Sequence, residues 1–504
     1  MKNKSFLFRS LFNRVLDKNT TRETRSNSQF VALMLEMVAH SIVGGVATTM
    51  LGSLLGFTLF GGLFLDIYSN LSPTSSSSGE VTMVTIGPEA LYLWDSTNPN
   101  PDTTPREMLA ELISILDQAG ARTIVLDVLL DDVQEGDQLL AEVSRKHGAV
   151  IGAEKMMVNQ PRTGRLFAKG LNPILHGGEQ PAIYAGHANL FFTEPLLFTG
   201  DHVFRGVHHA QFYQRSSVHG QWPDTIVGAK EEVISPSLAL AGAWLHRAQQ
   251  KPDAHFHDLL RELRESCGVT EGIFSCTKDS VSHLPSFQTT LHSDFWLHHM
   301  GSEHNDRIPF IPASTLLMLS AERAMFKKLG IPEDQLPPTT FPTEISTLLN
   351  DKLVIIGRVD RIGEEQADRY ATTYSFPLFK KADMAGVRIQ AQVMDALLSG
   401  RRLQFVPIWL QLILCLLSGF GTYTLYRRTP ILWQIPLVLT AYLSAVGVGL
   451  LLYTWCDGWV LELGPALSVS MLTLTWLYTR YEWVPEYTPE INQESLPTPN
   501  ESES

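Results

Sequence analysis

Two kinds of residue in this chain have the types and spacing to do chemistry: carboxylates gathered after an apolar run, and closely spaced histidines. Asp127 ends Ile124-Val-Leu-Asp, and Asp131, Asp132, Glu135 and Asp137 follow within ten residues. Ligands of parallel α/β sheets bind outside the carboxyl ends of the strands, which makes Asp127 and Asp131 candidate ligand-binding residues. The same residue types also serve solvated loops and helix starts. Two further sets mix charges, Asp201 with Arg205, and Arg358 with Asp360, Arg361 and Asp368. Each could hold a small polar ligand, or its members could pair with one another.

Fifteen of the sixteen histidines fall between residues 66 and 402, among them His208-His209, His298-His299 and His255-Phe-His257-Asp258. Neutral imidazole binds zinc, nickel and copper and titrates near neutral pH. On a strand, His255 and His257 would share a face and form a candidate metal site with Asp258; on a helix they would diverge and the site would fail. No HExxH and no cysteine–histidine set with zinc-finger spacing occurs. Nor is there a G-x-S-x-G elbow, a phosphate-binding G-x-x-x-x-G-K-[ST] loop or a G-x-G-x-x-G fingerprint. The expectation is a non-enzyme without a cofactor.

The elements that must position these residues read as α/β. Val81 to Ile86 alternates as a strand does. Thr104-Pro105-Arg106-Glu107 predicts a helix start with a capping box and proline in the first turn. Met108, Leu109, Leu112, Ile115 and Leu116 mark one apolar face, and Gly120 ends the helix. Arg122 to Val128 is a continuous apolar run, as in a strand buried on both faces. A helix over 138–146, a short strand over 149–152, a helix over 235–249, a strand over 352–357 and an amphipathic helix over 386–398 follow. This order predicts parallel crossovers and a mostly parallel sheet.

That α/β part, residues 66–402, lies between hydrophobic blocks. Residues 41–65 carry no charge and suffice to cross about 30 Å of hydrocarbon. The leader, 1–40, holds Lys2, Lys4, Arg9, Arg14, Lys18, Arg22 and Arg25 against few acids, which predicts a cytoplasmic start and an uncleaved anchor. The serine run Ser75 to Ser78 reads as a linker beyond it. Three more spans are predicted, 406–426, 431–455 and 460–478, with Arg427-Arg428 and Arg480 on the cytoplasmic side. Residues 480–504 read as a disordered cytoplasmic tail. The whole is an α/β extracytoplasmic domain followed by a three-helix transmembrane bundle, a multi-pass protein of a bacterial inner membrane with both termini inside. Gly52 and Gly56 have the spacing that lets two membrane helices approach, so a homodimer is admissible. The net charge of −13 argues against nucleic acid as a partner. Cys267 and Cys276 could close a disulfide-bonded loop in an oxidising compartment.

Several segments carry a likeness. Ala90-Leu-Tyr-Leu-Trp94 before the Pro105-Arg106 helix, Ile124-Val-Leu-Asp-Val128, Asn189-Leu-Phe-Phe to Asp201-His-Val-Phe-Arg205, Leu353-Val-Ile-Ile-Gly357, Asp368 and Ala385-Gly-Val-Arg-Ile-Gln-Ala391 together resemble the type-2 CHASE family (CHASE2). Gln390 stands where that likeness leads one to expect histidine, and 220–302 is longer than expected. The resemblance implies extracytoplasmic sensing upstream of a histidine kinase, cyclase or protein kinase. Only residues 481–504 follow Arg480, so the expected output is a separate cytoplasmic kinase, cyclase or phosphatase, answering an extracytoplasmic signal. A structural or assembly component of the cell envelope is the alternative, and an exported hydrolase a third.

Overall fold

The computed structural model describes residues 63–71, 77–97, 103–158, 166–177, 181–188, 191–192, 203–208, 210–215, 232–249, 256–270, 273–276, 294–296, 307–328, 341–359, 369–372, 383–401, 404–428, 431–455, 459–461 and 463–481. They belong to two compact units, one of residues 61–406 with 447–462, the other including 407–446 and 463–504.

The first unit is built on a sheet with nine strands among the described residues. These are β1 (Val81–Ile86), β2 (Thr123–Leu129), β3 (Val150–Val158), β4 (Leu166–Lys169), β5 (Tyr184–His187), β6 (Ala210–Arg215), β7 (Glu232–Pro236), β8 (Phe310–Pro312) and β9 (Leu353–Arg358). Their order is β8-β1-β9-β2-β3-β4-β6-β7, and β5 also pairs with β3. From β8 through β3 to β5 every pairing is parallel. Beyond that, β4 and β7 pair antiparallel with β3 and β6.

Side chains alternate across this sheet, so each strand feeds two apolar layers. Val84, Ile86, Ile124, Leu126, Val354 and Ile356 join a core with helices α3 (Arg106–Gln118), α4 (Asp137–His147) and α7 (Ala313–Lys328). Val81, Met83, Val125, Leu353 and Ile355 join the opposite core with α5 (Leu238–Ala248), α6 (Phe256–Ser266) and α8 (Gly386–Ser399). Both faces of the parallel strands are covered, which is why those strands read as unbroken apolar runs. Helices α1 (Leu63–Leu71) and α2 (Pro88–Trp94) complete the helices of this unit that concern the function.

The parallel sheet is as expected, but its strand order is not one read from the sequence, and two local expectations need correction. β1 and β2 are not neighbours: β9, far away in sequence, inserts between them, with Met83 beside Ile355 and Ile355 beside Val125. The capping box at α3 does not form; Thr104 Oγ1 is buried without a partner, and the Glu107 carboxyl lies against Gly136 instead. And α8 is not amphipathic in its setting: every residue from Gly386 to Leu398 except Arg388 is buried. It lies between the sheet and α5, so no face is left for water.

The second unit holds α9 (Ile408–Arg428), the first part of α10 (Ile431–Trp455) and α11 (Gly464–Tyr481). Among the described residues, Pro436–Trp455 alone is long and apolar enough to cross a membrane; Trp409–Tyr423 is apolar but shorter. The expected bundle of three spans is thus supported at one helix, and residues 41–62, with Gly52 and Gly56, lie outside the described residues. Hydroxyls bind the three helices together: Ser418 Oγ is 3.0 Å from Tyr442 OH, Thr422 Oγ1 donates to Ser470 Oγ at 2.9 Å, and Tyr442 OH donates to the Ala466 carbonyl at 2.8 Å. Such bonds are common between helices that lack an aqueous drive to associate.

Candidate functional site

The carboxyl ends of β9, β2, β3 and β5 form one edge, and the first turn of α8 packs against it. Gly357 pairs with Asp127 across β9 and β2. A Cβ at Gly357 would fall 2.6 Å from Val387 Cγ2 and 3.3 Å from Asp127 Cβ, so glycine is what lets the start of α8 come this close. By the alternation of the strands Asp127 faces α8, while Arg358, one step past Gly357, faces the opposite layer. The edge therefore holds both Asp127 and Arg358 but does not join them on one face. Asp131 lies in the loop after β2 and Asp201 and Asp368 outside the described residues, while Arg205 is described by backbone alone, within a strand over 203–208.

Asp137 proves to be structural. It is 1% exposed and accepts from Arg106 Nε at 3.1 Å, from Asn172 Nδ2 at 3.0 Å and from the Gln134 amide at 2.6 Å. Arg106 is equally buried, and burial lowers its pKa against the pull of Asp137 and, further off, Asp131 and Asp132. The network fixes the acidic loop at both ends, because Asn172 also donates to the Asp132 carbonyl at 3.2 Å. Asp131 and Asp132 are thereby held in place beside the edge.

A second polar group at this edge carried no motif. Glu154 and His187 are in register on β3 and β5, and both are buried, as are Ser235 at the end of β7 and Gln390 on α8. Ser235 Oγ donates to Glu154 Oε2 at 3.5 Å. Gln390 Nε2 donates to the Ala188 carbonyl at 3.1 Å, one residue beyond β5, and its Oε1, in a side chain 2% exposed, has no partner. A buried acceptor left unpaired costs about 1–3 kcal/mol, so this amide is only half satisfied. Chemically the edge offers carboxylates, an amide and an imidazole to a small polar ligand. The sequence signal for it was weak, since buried Glu, His, Ser and Gln at long separations share no spacing.

The opposite, amino edge of the sheet carries its own charges. Glu80, just before β1, accepts from Arg247 Nη2 at 2.7 Å, and Arg247 also donates to the Leu398 carbonyl at 3.0 Å. His246, fully buried on α5, has Nε2 3.4 Å from Glu80 Oε2. Its pKa falls from 6.5 to about 4, first through burial and then through the charge of Arg122; Glu80 opposes this and Arg247 adds to it.

The remaining candidates sit elsewhere. The strand on which the metal site depended is a helix: His257 and Asp258 lie in the first turn of α6, and Asp258 binds Arg261 Nη2 at 2.6 Å. His255 lies outside the described residues. Among those residues no three His, Cys, Asp or Glu gather as metal ligands would. Cys267 and Cys276 face each other in register across an antiparallel hairpin of 267–270 with 273–276.

The model of the CHASE2 domain matches residues 42–423, which takes in the sheet, both edges and much of α9. No curated protein and no solved structure matches. With a match over most of its length, the chain belongs to the CHASE2 family, whose domain is an extracytoplasmic sensory one.

Proposed function

We propose that this protein is an integral membrane sensor subunit whose sheet domain lies outside the cytoplasmic membrane and passes its signal to a separate cytoplasmic protein. The observation that carries this reading is the course of α8. Its first turn lies at the carboxyl edge, with Val387 against Gly357 and Gln390 on Ala188, and its last turn lies among the charges of the amino edge. One buried helix thus connects the edge where α/β sheets take ligands with the side from which the chain runs on towards α9. A signal that binds differently to two positions of this helix would bias their populations by that difference in affinity. Asp127, Asp131 and Arg358, with Glu154, His187, Ser235 and Gln390, are the residues expected to meet it.

In this reading the protein spans the membrane more than once, with both termini in the cytoplasm, and the basic Arg427-Arg428 turn faces the partner. No reaction is assigned to the chain. Affinity purification of the full chain in mild detergent tests the reading. Recovery of a kinase, cyclase or phosphatase is expected. Recovery of envelope proteins alone would replace sensing with a structural role.

A further inference from the structure

The end of α8 meets the serine run that the sequence offered only as a linker. Asp395 on α8 is fully buried, yet it is not paired within its own helix alone. Its Oδ1 accepts from Ser77 Oγ and from the Ser78 amide, each at 2.9 Å, and also from Ser78 Oγ. Its Oδ2 takes the Arg401 guanidinium, itself three-quarters or more buried. Gly400, at φ +70°, ends α8 in the left-handed conformation that glycine favours and turns the chain back so that Arg401 reaches Asp395. Arg401 Nε also bonds Ser399 Oγ at 2.8 Å, and the Arg401 amide the Ala396 carbonyl at 2.9 Å. Next to these, Lys352 Nζ holds the Gly79 carbonyl at 2.6 Å.

Ser77 and Ser78 lie where the chain enters the sheet domain after α1, and Arg401 where it leaves towards α9. We infer that Asp395 is a clasp: one buried carboxylate ties the incoming and outgoing segments to α8, so that a shift of this helix moves or frees both together. The chemistry suits the role. A carboxylate buried from water needs donors on its oxygens to offset the lost hydration, and here they come from two separate segments. Displacing α8 by the length of a hydrogen bond therefore cannot loosen one segment and leave the other fully held. Two flexible linkers with independent anchors would lack this property. The inference deepens the sensing reading and rests on it for its purpose, but not for its test.

That test is hydrogen exchange on the full chain in lipid nanodiscs, followed by mass spectrometry. Asp395→Asn is expected to speed exchange at 77–80 and at 400–405 together, by about tenfold or more, the loss of a charge-assisted bond on each side. Ser77→Ala with Ser78→Ala is expected to speed 77–80 most and 400–405 by a smaller factor, and Arg401→Gln the reverse, while β1, β9 and β2 exchange as before. The two milder variants keep the test decisive should Asp395→Asn not fold. If each of them loosens its own segment alone, as independent anchors would, or if neither segment responds, the clasp is overturned. Capture of a cytoplasmic partner is unaffected by that outcome, so the sensing reading stands or falls separately.

Discussion

His246 gives the domain a specific acid sensitivity. In the folded chain its pKa is about 4, against 6.5 in an unfolded one, because the ring is buried and Arg122 and Arg247 lie near. Between those values the unfolded chain binds a proton that the folded chain does not. The neutral ring's contribution is thus complete above pH 6.5, is lost as pH falls, and is exhausted below about pH 4. The gap of about 2.5 pH units, at about 1.4 kcal/mol each, amounts to about 3.5 kcal/mol, of which about 3 is lost by pH 4. Other carboxylates titrate in the same range, so the contribution is read as a difference between two proteins. Thermal unfolding of the full chain and of His246→Leu, from pH 7 to pH 4 in the same detergent, supplies it. Leucine fills the buried space without a proton to bind, and the variant should lose less stability on acidification, by about 3 kcal/mol or several degrees of Tm. Parallel acid limbs in the two proteins would refute the reasoning, because the imidazole would then already be charged or accessible in the folded state.

Two other perturbations probe what holds the edge. Asp137→Asn leaves the buried Arg106 guanidinium without its counter-charge and should cost about 3–5 kcal/mol in urea unfolding, whereas replacing both by apolar residues of similar size should cost less, the remainder being the Asn172 and Gln134 donors left unpaired. Equal losses in the single and double variants would mean that the pair does not act as one unit. Gly357→Ala places a methyl group 2.6 Å from Val387 and should cost about 1–3 kcal/mol of stability; adding Val387→Ala should recover part of it. A harmless Gly357→Ala would show that α8 stands further from the strand than described.

How much of this was legible in the sequence varies with the range of the interaction. β1, β2 and α3 follow their apolar periods closely, with Met108, Leu109, Leu112, Ile115 and Leu116 all buried and Gly120 at φ +81° ending the helix, whereas β3 runs on to Val158, past the 149–152 expected, and α2 was not expected. Those signals are local. The insertion of β9 between β1 and β2 is not, since Lys352 to Gly357 reads the same in any central position of a parallel sheet. The capping box failed because Thr104 is buried and Glu107 lies against Gly136, and neither fact shows in four residues. For the site, the acids after β2 were found from strand direction alone. Which of them faces which layer needed the register, and Asp137 turned out to be spoken for by Arg106. The Glu154, His187, Ser235 and Gln390 group, and the Asp395 clasp on Ser77 and Ser78, join residues from 33 positions apart (Glu154 and His187) to 318 (Ser77 and Asp395). Nothing but the fold brings them together.

A sensory role of this kind requires the sheet domain to lie beyond the membrane. Fusions of two reporters in the exposed loop at Val133, one active only after export and one only in the cytosol, place that loop on one side or the other. Activity of the exported reporter with silence of the cytosolic one is the expected result. A bright cytosolic reporter, in a chain that still reaches the membrane, would contradict it.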